Sequence, residues 1–248
     1  MAASTRTVSS IQARDSVSDL PKIEDLNPKK KTALIQALGA ITYGELKAYN
    51  GAMEQAELCE SEADKKTYRK IAAEELRHHK GFSRRLVAMG GDVDRAMKPF
   101  MHSLDNFHEN KVVDPVAGAV AGYLGEGVAF DLLTWFKKVT DAETAQFIDT
   151  VIDDEVEHEQ IAIEKLRELI RTTPLGWFKA QLGAYQMLYR MISASEPNSS
   201  GPISYTAFLR LGRANELVVS LATGMAKRVA LIGLPSFKVG LPKLRILS

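Results

Sequence analysis

The chain has 248 residues, 45% hydrophobic and 25% charged, with 32 Lys+Arg against 31 Asp+Glu; this is the make-up of an ordinary globular protein with one substantial core, and it excludes a low-complexity chain. Cys59 is the only cysteine, which excludes an intrachain disulfide and fits a reducing, cytoplasmic setting. The near-zero total charge conceals an asymmetry: residues 1–170 hold 22 basic and 29 acidic side chains (−7) and residues 171–248 hold 10 and 2 (+8), so the C-terminal region can face phosphate-rich RNA, an anionic membrane surface or the acidic part of its own molecule.

Residues 1–27 are rich in Ser, Thr, Asp and Arg without an apolar core, and read as a disordered polar arm rather than a signal peptide. Asn27-Pro28 is a cap and first-turn signal for a helix reaching about residue 59. Its apolar face carries Leu38, Ile41, Tyr49 and Met53 together with Glu45. A second helix starts at Ser61 with Glu62 and Asp64 in its first turn and stops at Gly90-Gly91. Within it Tyr68, Ile71, Glu75, His78, Phe82 and Leu86 follow three- and four-residue steps, so Glu75 and His78 lie inside the apolar stripe.

Residues 92–114 read as a long crossover with room for one short helix, which lets the third helix begin at the same end of the molecule as the second. Pro115 opens that third helix, which carries Glu126 and ends near Thr140; Asp141 caps a fourth, where Ile148, Val151, Glu155, His158, Ala162 and Leu166 repeat the earlier spacing. The bundle thus spans 28–171, and 172–248 is a basic helical extension packed on it. Within the extension a fifth helix runs from Thr173-Pro174 to about Ser195, residues 197–202 form a linker, a sixth helix occupies 204–232, and the apolar tail beyond it covers the bundle. The longest apolar stretches, such as Val116 to Gly125, are interrupted short of the ~20 residues that a membrane span needs, and no strand pattern of useful length occurs.

The most informative pattern is a duplication. Gly44-Glu45 is followed by Glu75-x-x-His78, and Gly125-Glu126 by Glu155-x-x-His158, with the intervals from the first Glu to the second differing by one residue (30 and 29). Residues three apart project from one helix face, so each ExxH offers a carboxylate and an imidazole to a common point. Four carboxylates on apolar helix faces are unfavourable unless paired or coordinated, and metal is the simplest compensation. Oxygen-rich donors with one imidazole per metal suit iron, manganese or a mixed Fe/Mn pair better than structural zinc. Glu45, Glu75, His78, Glu126, Glu155 and His158 are therefore the candidate metal ligands, with Glu45 and Glu126 also the candidate catalytic carboxylates.

Other residues near these positions carry weaker expectations. Glu74 and Asp154, each preceding a ligand glutamate, can accept from imidazole N–H groups, although exposure is the more ordinary expectation for them. Tyr43, Tyr49, Tyr68 and Tyr123 read as core residues before electron relays, and His79 as a surface histidine. Gly44 and Gly125 inside helices cost roughly 1 kcal/mol each; close helix packing is the first explanation and room for oxygen or substrate the second.

Gly44-Glu45, Glu75-Leu-Arg-His78, Gly125-Glu126 and Glu155-Val-Glu-His158 resemble the ligand segments of the ferritin-like superfamily of di-iron proteins. Tyr43-Gly44-Glu45-Leu46, Met97-Lys98-Pro99-Phe100, Leu104-Asp105, Phe107-His108 and Tyr123-Leu-Gly-Glu126-Gly are similar to the actinobacterial members grouped with the tRNA methylthio-isopentenyl-adenosine hydroxylase. The resemblance covers about residues 33–170. It implies an all-α four-helix bundle holding two iron ions that activate dioxygen, and, in the hydroxylase branch, hydroxylation of a tRNA isoprenoid group.

The expected function is a di-iron oxygenase or oxidase with an organic substrate of unknown identity and an electron-donor protein, acting as a monomer or homodimer. Iron handling or peroxide detoxification is the alternative, and a ferritin-like scaffold the third reading. The small positive charge is less than a strong tRNA binder carries.

Overall fold

The computed structural model describes residues 17–109, 114–193 and 208–232, and among them it contains seven α-helices and no strand. These are α1 (Pro28–Leu58), α2 (Glu62–Ala88), α3 (Val93–Glu109), α4 (Pro115–Phe136), α5 (Ala142–Thr172), α6 (Gly176–Ser193) and α7 (Ala214–Leu231). The starts lie where the capping residues put them. Asn27 Oδ1 accepts from Lys30 N, Ser61 Oγ from Asp64 N, Asp114 Oδ1 from Val116 N and Ala117 N, and Asp141 Oδ1 from Thr144 N; each bond satisfies a backbone donor that the first helical turn leaves open. At the end of α2 Gly90 takes φ 79°, and Gly91 N and Gly90 N donate to Leu86 O and Val87 O. That paired closure turns the chain sharply towards α3.

The architecture is two units of three helices. α1 and α2 form one antiparallel hairpin and α3 folds back on α1; α4 and α5 form the other and α6 folds back on α4. Matching close approaches hold each returning helix: a Cβ on Gly39 of α1 would lie 2.2 Å from Ala96 O of α3, and one on Gly183 of α6 would lie 2.6 Å from Ala117 Cα of α4. The units meet along α2 and α5 through cross-helix pairs spread over their length. Lys165 Nζ bonds Asp64 at 2.6 Å, Lys70 Nζ bonds Glu157 at 2.6 Å, and Arg85 reaches both Asp141 (3.0 Å) and Glu143 (2.5 Å). Phe82 packs edge-on against Phe147 between them.

Several expectations change. The crossover is a 17-residue helix, α3, with Pro99 inside it; its buried Met97 and Phe100 draw a segment with a polar outer face against α1. The duplication therefore extends to three helices per unit. The third bundle helix stops at Phe136 rather than near Thr140. The sixth expected helix is not continuous over 204–232: Gly212 and Arg213 take φ 91° and 53°, and α7 starts only at Ala214. The break seats Phe208 and Leu211 in the core, Phe208 edge-on to Trp135 and Phe136, while Trp135 Nε1 donates to Arg213 O. Of the arm, residues 17–27 carry two 3-10 turns, Ile23 and Leu26 pack on the core, and Ala142 N donates to Pro21 O. Residues 1–16, the linker at 197–202, the expected helix start at 204 and the tail from 233 lie outside the described residues.

α4 also departs from expectation, because its 22 residues are long and apolar enough to cross a membrane by length and composition. In this structure the apolarity has another use: α4 is wrapped by α5, α6 and α7, and Val116, Val120, Tyr123 and Leu124 lie in the core they share.

Asp141 anchors the seam between the units, since it caps α5 and receives Arg85 while fully buried. Asp141→Ala should cost about 2–4 kcal/mol, combining a lost cap with the loss of the buried one of Arg85's two carboxylate partners, and Asp141→Asn distinctly less; chemical denaturation of the two variants measures the difference.

A candidate metal centre

α1, α2, α4 and α5 bring all six candidate ligands to the middle of the bundle. Glu45, Glu75, His78, Glu155 and His158 are at most 7% exposed. Glu126 keeps some residue surface, but its carboxyl lies inside the protein. The donor atoms fall into two groups, Glu45, Glu75, His78 and Glu155 in one and Glu75, Glu126, Glu155 and His158 in the other, each within 4.8 Å of one another. Glu75 and Glu155 belong to both. The arrangement is thus two pockets with a shared pair of carboxylates between them and one private carboxylate and imidazole each.

The imidazoles are oriented from behind. His78 Nε2 lies 2.9 Å from Asp154 Oδ2 on α5, and His158 Nε2 lies 3.0 Å from Glu74 Oε2 on α2. A carboxylate oxygen can only accept here, so each Nε2 carries the hydrogen and each Nδ1 faces the cluster. Asp154 is in turn held by Arg77, and Glu74 by Lys70 at 3.3 Å. Glu74 and Asp154 are therefore part of the site rather than exposed, and each braces the histidine of the opposite unit.

His78 Nδ1 and His158 Nδ1 are buried without a hydrogen-bond partner. His78 Nδ1 stands 3.4 Å from Glu155 and 3.5 Å from both Glu45 and Glu75, and His158 Nδ1 stands 3.1 Å from Glu75. Two orphaned nitrogens aimed at four carboxylates fit cations between them.

The electrostatics agree. Burial drives the Glu45 carboxyl well above its usual range and raises Glu155, and burial reinforced by Glu155 and Glu75 pushes Glu126 up to about 8. Burial disfavours the imidazolium forms, but the facing carboxylates outweigh it and hold His78 at about 11 and His158 at about 9. Burial would also raise Glu75, yet the close approach of the His158 and His78 imidazoles holds it at about 2. Without metal the protein compensates its buried carboxylates with protons and two imidazolium cations.

The flanking residues sort differently. Tyr43, on the same helix as Glu45, donates to Asp105 of α3 at 2.5 Å, and Lys47 pairs with the same carboxylate at 2.9 Å, so the returning helix fixes the chain on both sides of Glu45. Tyr123 is core, with burial raising its pKa to about 12, and Tyr49 and Tyr68 pack on Ala52, Ile71 and Ala72. His79 is half-buried, its Nδ1 2.9 Å from Thr42 O, and not a free surface residue. The packing explanation for Gly44 and Gly125 fails: a Cβ at either meets nothing within 4 Å. Open space lies beside both positions.

Sequence reasoning missed one constellation. Arg228 of α7 is 6% exposed and reaches Asp131 of α4 at 2.7 Å and Glu159 of α5 at 2.9 and 3.1 Å. Two glycines admit it: a Cβ on Gly127 would lie 1.8 Å from Arg228 Nε, and one on Gly224 would lie 1.8 Å from Asp131 Oδ2. Gly127 follows Glu126 and Glu159 follows His158, so the extension is locked onto the half of the cluster that those two ligands serve. In the other unit the corresponding residues are Leu46 and His79. The only signal in the sequence was the extra glycine at 127.

The sequence model of the ferritin-like domain of actinomycetes matches residues 28–195. No curated protein matches the chain.

Two outcomes follow from the charges. In the metal-free protein the imidazolium contributions are fully present below pH 6.5 and are lost as pH rises through 9 and 11, while the raised Glu126 favours the folded state less as pH climbs from 4.5 to 8. Glu75, held low, is ionised throughout that range. Chelator-treated protein should therefore show a falling Tm from pH 6 to pH 9 in scanning fluorimetry. Arg228→Met should cost about 3–5 kcal/mol, because it leaves the buried Asp131 and the half-buried Glu159 without their cation; urea denaturation measures it.

Proposed function

The chain belongs to the ferritin-like domain family of actinomycetes, and on that premise we propose that its buried carboxylate and imidazole cluster binds two iron ions and activates dioxygen to oxidise an organic substrate. The observation that carries this reading is the pair of donor groups sharing Glu75 and Glu155, each with an imidazole Nδ1 that has no other partner. Glu45 and His78 would complete one metal position, and Glu126 and His158 the other. Manganese, alone or mixed with iron, fits the same donors.

A bound Fe(II) pair supplies the electrons for dioxygen reduction. The protein's part is positional and electrostatic. Glu74 and Asp154 keep each imidazole turned with Nδ1 inward, and the bracing across units keeps the two halves in register. Glu75 and Glu155, almost fully buried, exclude water from the shared centre. A Cβ on Gly44 or Gly125 would meet nothing within 4 Å, and the residues that follow them, Glu45 and Glu126, would be the two carboxylates that change their binding as charge changes. The similarity of the crossover residues Met97-Lys98-Pro99-Phe100 and Asp105 to the hydroxylase group supports hydroxylation of a C–H bond as the reaction class.

The test is an anaerobic Fe(II) titration of metal-free protein followed by an oxygen pulse. Two irons per chain, with a near-ultraviolet oxo-bridged band that Glu75→Ala/Glu155→Ala lacks, is the expected result. Binding should release protons and weaken as pH falls below neutrality. Accumulation of many irons per chain under aerobic loading would instead favour iron handling, and no stoichiometric binding would leave a scaffold.

A further inference from the structure

Arg228 is a buried cation to which the metal reading gives no part. Its guanidinium spans two helices of the cluster. Nη1 donates to Asp131 Oδ2 of α4 at 2.7 Å, and Nε and Nη2 donate to the two carboxylate oxygens of Glu159 on α5 at 2.9 and 3.1 Å. It lies against the backbone of α4 at Gly127, where a Cβ would fall 1.8 Å from Nε and 2.4 Å from Cζ. Gly127 directly follows Glu126. At the helical rise, Asp131 lies ~7.5 Å along α4 from Glu126, and Glu159 lies ~6 Å along α5 from Glu155 on the same face. Two carboxylates on one guanidinium leave one net negative charge, with Arg228 6% and Asp131 9% exposed. Lys227, another cation that acts on Asp131, is exposed and screened by water.

The other half of the cluster has no counterpart. The intervals that carry Glu126 onto Glu45 and His158 onto His78 carry Gly127, Asp131 and Glu159 onto Leu46, Asn50 and His79, none of them a carboxylate or a guanidinium. The charged pairs that flank Glu45 and His78 are Lys47 with Asp105 and Arg77 with Asp154, one cation to one anion in each. Glu75 and Glu155 belong to both donor groups, and each group adds one glutamate and one histidine. A difference between the two positions therefore has to come from outside the ligands, and the buried charge imbalance lies on one side.

We propose that Arg228 with Asp131 and Glu159 makes the two metal positions unequal, so that the Glu126/His158 position fills first and the Glu45/His78 position second. The inference rests on the two-metal reading above. A divalent cation ~10 Å from one uncompensated charge, at an effective dielectric constant of ~20, gains more than about tenfold in affinity, and salt screens a buried charge little. Arg228 is a positioning residue here: its two-pronged grip on Glu159 holds that charge, and the turn of α5 that carries His158, at a fixed distance from the centre.

Anaerobic titration of the metal-free full chain with Mn(II), followed by calorimetry and electron paramagnetic resonance, reads the order of filling. The expected result is two steps about tenfold or more apart, with the spectrum of an isolated ion at the first step and of a coupled pair only during the second. His78→Ala should abolish the weaker step and leave the tighter one, and His158→Ala the reverse. Asp131→Asn and Glu159→Gln each cancel the net charge while keeping size and an acceptor for Arg228. Each should weaken the tighter step about tenfold or more and leave the weaker step in place; if one variant fails to fold, the other decides. A merely structural role would move both steps together. That outcome, two equal steps in the unaltered chain, a tighter step unchanged in the charge variants, or a tighter step lost in His78→Ala would each overturn the inference and leave the two-metal reading standing. Absence of Mn(II) binding would sink both.

Discussion

The rest of the structure is arranged around the burial of four carboxylates and two imidazoles in one small volume. In water these groups would be hydrated and far apart; inside a bundle their repulsion and desolvation oppose folding by far more than a few hydrogen bonds return. Three features contain that opposition. Each imidazole is held from behind by a carboxylate of the other unit, each of those carboxylates is paired with Arg77 or Lys70, and the cluster closes on itself so that Nδ1 and carboxylate oxygens face one another. What stays uncompensated without metal is a set of shifted proton equilibria. A divalent cation in each pocket would relieve all of them at once, which is why the proton shifts and the orphaned nitrogens point to one chemistry.

The duplicated architecture follows from this centre. Two three-helix units, each contributing a Glu from its first helix and an ExxH from its second, surround the shared volume. The returning helices α3 and α6 brace the first helices from outside. The units are not equivalent, however. Arg228 enters beside Glu126 and His158 through the gaps at Gly127 and Gly224, whereas Glu45 is flanked by Tyr43 and Lys47 tied to Asp105. A basic extension joined to the bundle by ion pairs, one of them buried, also accounts for part of the uneven charge along the chain, with Lys179 and Arg228 both engaged by bundle carboxylates.

Much of this was legible because side chains that meet at one point need a fixed spacing. The Glu and His of Glu75-x-x-His78 and of Glu155-x-x-His158 must lie about one helical turn apart to converge, and the starts at Asn27, Ser61, Pro115 and Asp141 announce themselves by residue type. The crossover was harder to read. Its apolar residues Met97, Phe100 and Leu104 are few, and Pro99 argued locally against the helix that contact with α1 stabilises. The break at Gly212-Arg213 depends on Phe208 finding Trp135, a contact between residues more than seventy positions apart. Arg228 was invisible for a related reason: a lone arginine in a basic segment reads as surface, and only the fold brings Asp131, Glu159 and two glycines to it. Gly44 and Gly125 were misread in the opposite sense, since a helical glycine suggests contact and here borders open space.

The central claim is that Glu75 and Glu155 are shared between two metal positions. Diffraction from iron-loaded crystals at wavelengths on either side of the iron absorption edge tests it most directly. The account predicts two anomalous peaks about 3.5–4 Å apart, both in contact with Glu75 and Glu155, one bound by His78 Nδ1 and the other by His158 Nδ1. A single peak, or metal held through Nε2 with Glu74 or Asp154 displaced, would contradict it.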